Sequence, residues 1–105
     1  MATTSALVTS SGGNVYTSSG STVITWLSLT NYHPTDDVLT SVHIVPSGES
    51  ANVQNQIIAN AVITAGDTLQ LYAGNEKLIL EGSTAVYVIA NANSILNSVT
   101  SYTSA

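Results

Sequence analysis

Between Thr22 and Asn31 apolar and polar side chains take turns, Thr-Val-Ile-Thr-Trp-Leu-Ser-Leu-Thr-Asn, and the same two-residue period returns at Val38–Val45, Thr68–Tyr72, Lys77–Leu80 and Ala85–Ala92. That period sends successive side chains to opposite faces of an extended strand, whereas a helix needs a repeat near 3.6. β-branched and aromatic residues dominate these segments, as a pleated surface favours. Turn formers interrupt them roughly every ten residues, at Ser10-Ser11-Gly12-Gly13, Ser18-Ser19-Gly20-Ser21, Pro46-Ser47-Gly48-Glu49-Ser50, Gly66-Asp67, Gly74-Asn75 and Glu81-Gly82.

A strand patterned in this way has one oily face that must be covered. The expectation is an all-β chain, a two-sheet antiparallel β-sandwich or jelly roll of about eight strands. The 105 residues suffice for a single domain, 1–105, with residues 1–13 free to run as an extended N-terminal segment. Ile63–Asn93 looks like its centre, with strands at Thr68–Tyr72, Lys77–Leu80 and Ala85–Ala92 forming one sheet and the rest supplying partners. Further strands are expected at Ser5–Thr9, Gln56–Thr64 and Ser94–Tyr102, with a short extended piece at Asn14–Thr17. Val53, Ile57 and Ile58 would also allow a helical turn before Gln56–Thr64. Along Thr22–Asn31, strict alternation groups Val23, Thr25, Leu27 and Leu29 on one face and Ile24, Trp26, Ser28 and Thr30 on the other. Along Val38–Val45 it groups Val38, Thr40, Val42 and Ile44 against Leu39, Ser41, His43 and Val45.

Charge narrows the partners. One basic residue stands against six acidic ones, a formal net charge of -5. Neutralising phosphates takes Lys and Arg in number, so neither nucleic acid nor an acidic membrane surface is an expected partner. No apolar run approaches the roughly 18 residues of a membrane span, and the first residues lack the basic start and apolar core of a secretory signal, so synthesis in the cytosol is expected. There is no Cys to form a disulfide or thiolate site. More than a third of the residues are Ser, Thr or Asn. Such a surface hydrates well but repels its neighbours weakly, which favours self-association or docking on a larger assembly.

Chemistry-bearing patterns are sparse. His33, Asp36 and Asp37 fall within five positions and could hold a cation or set a base beside a carboxylate. Metal sites of familiar kinds bring a further ligand at recognisable spacing, and none follows; the competing reading is a loop whose Asp side chains cap local amides. His43 reads as a strand residue on the wetter face. No Gly-x-Ser-x-Gly elbow and no phosphate-cradling glycine loop occurs. No catalytic residue, metal ligand or cofactor is therefore expected. Trp26, Tyr32, His33, Tyr87 and Tyr102 remain as interface candidates, because large rings supply contact area at low entropic cost. If rings such as Trp26, Tyr32, Tyr72, Tyr87 and Tyr102 converged, a carbohydrate-binding module would be the alternative. An enzyme assembled around His33, Asp36 and Asp37 at a subunit boundary would be a third.

Several segments carry a resemblance: Val15-Tyr16, the Val-Ile-Thr-Trp-Leu-Ser-Leu-Thr-Asn strand at Val23–Asn31, Val-His-Ile-Val-Pro-Ser-Gly-Glu-Ser at Val42–Ser50, Ala65-Gly66-Asp67-Thr68-Leu69 and Leu80-Glu81-Gly82-Ser83-Thr84. From about Ala6 to Tyr102 the chain resembles small β-sandwich virion structural proteins of tailed bacteriophages. Ser83 stands where that pattern usually has an acidic residue. The resemblance implies a virion component made in the host cytoplasm and present in many copies. It would be a capsid decoration (cement) protein or a neck, tail or fibre-attachment subunit. Its partners would be itself, as a homo-oligomer with a trimer favoured, and other virion proteins such as the major capsid protein. The family brings no catalytic residues to carry over.

Overall fold

A computed structural model describes residues 2–71, 78–93 and 95–104. Among them the chain is all-β, with β1 at Ala2–Val8, β2 at Gly13–Thr17, β3 at Thr22–Asn31, β4 at Val38–Val45, β5 at Gln56–Ile63, β6 at Thr68–Leu71, β7 at Leu78–Leu80, β8 at Ala85–Ala90 and β9 at Leu96–Ser104. The nine strands form two antiparallel sheets packed face to face. One runs β1-β9-β3-β6, with β7 also pairing β3, and the other runs β2-β8-β4-β5. The ninth strand is β2, which sequence showed only as a short extended piece. Residues 53–55, where a helical turn was allowed, form a turn leading into β5. Tyr72, Lys77, the Gly74-Asn75 turn and Ser94 lie outside the described residues.

The expected three-strand sheet within Ile63–Asn93 does not form. β6 and β7 both pair with β3, Leu29 opposite Leu69 and Ile24 opposite Leu78, while β8 crosses to the other sheet and lies between β2 and β4. Each segment does present the face that its alternation predicts: Leu69, Leu71, Leu78, Leu80, Val86, Val88 and Ala90 all belong to the core or pack against it. The organising pairs are instead β3 with β9 and β8 with β4, the central strands of the two sheets.

β3 corrects the expected face assignment. Its register against β9 slips between Ile24 and Trp26, so Thr25 is the extra residue of a β-bulge, and its Oγ1 donates to the Ser101 carbonyl. A bulge reverses the phase of everything beyond it. Ile24 therefore shares the core face with Leu27 and Leu29, all three fully buried, while Val23 and Trp26 face out. β5 does the same at Asn60, whose φ of 51° marks its own bulge. There the Asn60 amide donates to Ser41 Oγ, Ile58 packs inward and Ile57 is left exposed. β4 follows its predicted alternation, with Val38, Thr40 and Val42 buried and Ile44 packed on the core.

The core is Val, Leu and Ile from both sheets, supplemented by buried hydroxyls. Burying a hydroxyl costs unless it finds a partner. Thr40 Oγ1 donates to Ile89 O, Ser98 Oγ donates to Ala6 O, and Ser18 Oγ bonds with Thr22 Oγ1. Most of these small polar residues thus line the inside of the sandwich with a partner, whereas Thr100 Oγ1 is buried without one.

Candidate functional site

The loop after β3 is built around Asn31. Its side chain has no exposure to solvent, and its Nδ2 donates to the carbonyls of Asp36 (2.8 Å) and Ile63 (2.9 Å) while its Oδ1 accepts from the His33 amide (3.0 Å). The backbone is held as well, since the Asn31 amide donates to Asp67 O and its carbonyl accepts from Gly66. One amide thus ties the 32–37 loop to the ends of β3 and β5. Sequence reading left Asn31 as the last residue of a strand; its only signal was a polar residue in phase with Leu27 and Leu29.

His33, Asp36 and Asp37 do come together locally, but as a capped loop. His33 Nδ1 accepts from the amides of Thr35 (3.2 Å) and Asp36 (3.0 Å), which leaves the ring proton on Nε2, 3.8 Å from an Asp36 carboxylate oxygen. Asp37 Oδ1 accepts from the Ala65 amide. The principal cap is therefore the imidazole, not an Asp side chain. With Nδ1 engaged by two backbone amides, the imidazole serves the loop's own backbone. Among the described residues no group of three or more His, Cys, Asp or Glu is placed to hold a metal. Substituting His33→Ala should lower stability by about 1 kcal/mol, the net worth of ordinary hydrogen bonds. Zn2+ or Ca2+ should shift the melting temperature of neither protein; a metal-dependent rise lost in the variant would overturn the cap.

The interface candidates disperse over the molecule. Trp26 lies half-buried on the outer face of the five-stranded sheet, opposite Ser101. Tyr32 (47% exposed) and His33 occupy the loop after β3. Tyr102 turns inward at the far end of the sandwich, tilted by 36° against Tyr16 with ring centroids 4.4 Å apart, and packs against the core. Tyr87 sits on the outer face of the four-stranded sheet, opposite Asn14 on β2 and His43 on β4. No common platform of Trp26 and these tyrosines exists.

The outer face of the four-stranded sheet has the most developed relief. His43, expected on the wetter face, does face outward but is buried, because the 46–55 loop folds over it. Its Nδ1 lies 2.9 Å from Asn55 Oδ1 and 3.0 Å from Asn52 O, two acceptors that place the proton there. Asn52 and Asn55 also both donate from Nδ2 to Ser50 O. Beside this loop opens a cleft of about 520 Å3 floored by Tyr87. Farther along the face, the paired Leu39 (40% exposed) and Val62 (64%), and Ile57 (43%) beyond Ser41 and Asn60, present apolar side chains, next to a depression of about 180 Å3 lined by Leu39, Ser41, Asn60 and Ile89. The cleft escaped sequence reading because its residues come from β2, the end of β4, β8 and two turns. Its parts were visible separately, as the Pro46–Ser50 turn, the extended piece Asn14–Thr17 and the candidate Tyr87, but not as one site.

No family model matches this chain, and no curated protein sequence matches it.

Proposed function

We propose that this chain is a virion structural protein of a tailed bacteriophage, a capsid decoration protein that binds the assembled particle in many copies. A neck, tail or fibre-attachment subunit would use the same design. The observation that carries the reading is the uncharged, partly apolar ribbon of β4 and β5, read together with the resemblance in sequence. No Asp, Glu, Lys or Arg lies within Val38–Val45 or Gln56–Ile63, while Leu39, Ile57 and Val62 are exposed on it.

Copies that each carry a net charge of -5 meet at least electrostatic cost where neither presents a carboxylate. The occupant of the ribbon is therefore a second copy of this chain, with a three-copy cluster as the favoured stoichiometry. The bulge at Asn60 turns the free edge of β5 and interrupts its ladder, which blunts continuous strand addition. Contact then runs through side chains, a neighbour's apolar group entering the depression beside Leu39 and Ile89. Weak contacts repeated over a particle become durable through multivalency.

Light scattering on a sizing column should give a multiple of 10.8 kDa, and the protein should co-sediment with purified particles. Val62→Lys and Leu39→Lys, both at exposed positions, should leave stability within about 0.5 kcal/mol while returning the mass to that of one chain. A wild-type protein that stays monomeric, both alone and with particles, would remove the proposal.

A further inference from the structure

We infer that the cleft between the β2–β8 face and the Pro46–Ala51 turn binds a neutral saccharide, a hexose or N-acetylhexosamine unit of a glycan chain. At about 520 Å3 it falls within the size range of small-molecule sites. Its chemistry is that of a polyol partner. Asn14, Thr17, Ser50 and Ser83 offer amide and hydroxyl groups from three parts of the chain, and Glu49 adds one carboxylate at the rim. No Lys or Arg is among the described lining residues, so a phosphate or sulfate would find no counter-charge. A ligand rich in hydroxyl donors, with apolar C–H faces, matches acceptors set around an aromatic ring.

The floor and wall are fixed in advance. Tyr87 donates its hydroxyl to Ser11 O (3.1 Å), meets His43 edge to face at 5.8 Å, and lies so close over Gly12 that a Cβ there would collide with it. With its hydroxyl engaged, the ring contributes carbon surface. The opposing wall is a turn closed by the Glu49 amide on Pro46 O, with Gly48 at φ 80°, and it is anchored from below through His43, Asn52 and Asn55. Ser83 adds a second sign, because it holds φ 63° although Gly82 stands beside it. Left-handed backbone at a non-glycine residue is retained where surroundings enforce it, and such positions cluster at ligand sites. A rigid cleft loses little freedom on binding.

The inference stands apart from the virion reading, since a subunit without glycan affinity would still coat a particle. Amide NMR of the full chain should be followed on adding trisaccharides of glucose, galactose, mannose and N-acetylglucosamine to about 10 mM, enough to fill a site of millimolar Kd. At least one should shift residues 14–17, 46–51 and 83–87 together. Glu49→Gln, which keeps the shape of an exposed turn, and Ser50→Trp, which fills the cleft, should each weaken that binding at least about tenfold. Trp26→Ala, on the other sheet, should leave it unchanged, and a sulfated heparin disaccharide should bind no more tightly. Silence from all four sugars, or binding that survives both cleft substitutions, would overturn the assignment.

Discussion

Asn31→Ala should lower the unfolding free energy by about 4 kcal/mol, because it removes three hydrogen bonds at once, one buried and two part-buried, each partner worth roughly 1–3 kcal/mol when left unsatisfied. The carbonyls of Asp36 and Ile63 lose their donor and the His33 amide loses its acceptor. Asn31 itself has no exposure to solvent, so the Ile63 carbonyl in particular finds no replacement donor. A domain of this size holds only about 5–15 kcal/mol in total, so the loss would take most of it at the lower end and about a quarter at the upper. Urea denaturation should show a large fall in midpoint at unchanged slope. Asn31→Asp should be as damaging, since an acceptor then faces two carbonyl oxygens. Asn97→Ala, on the outer face of β9, serves as the contrast and should change stability by less than about 0.5 kcal/mol. Equal effects at the two positions would show that the Asn31 network does not hold the loop.

Gly12→Ala should cost about 3 kcal/mol through two separable effects. The residue sits at φ 77°, a left-handed conformation that penalises any Cβ by roughly 1–2 kcal/mol. That Cβ would also strike the hydroxyl and ring of Tyr87, forcing the side chain off Ser11 O and away from His43. A double-mutant cycle separates the parts. In a Tyr87→Ala background the steric clash is gone and only the backbone penalty remains, so Gly12→Ala should cost about 1–2 kcal/mol there. Purely additive effects would mean that the glycine serves the turn alone and that the tyrosine is free to move.

Alternation along single strands was legible with little loss. Leu69 with Leu71, Leu78 with Leu80, and Val86, Val88 and Ala90 face the core as their period requires, because a two-residue repeat is a property of the extended backbone itself. Phase across a bulge was not legible. Nothing in Ile24-Thr25-Trp26 announces that Thr25 is the inserted residue, since a bulge arises from pairing with β9, more than 70 positions away along the chain. The candidate site divides in the same way. The capped loop at His33 was readable as a local cluster, although its capping atom proved to be the imidazole. The Tyr87 cleft required knowing that Asn14, Glu49 and Ser83 become neighbours.

Sequence by itself determined that this chain builds stacked sheets, where the turns among the described residues fall, and that its composition is polar with few charges, because those follow from local periodicity and residue content. Tertiary structure alone decided that β8 leaves β6 and β7 for the other sheet, that Asn31 becomes a buried hub, and that the described aromatic candidates scatter while one of them floors a cleft. The physical reason is that strand pairing is non-local: every segment here can pair with any edge of matching pattern, and only the simultaneous burial of all their apolar faces selects one arrangement.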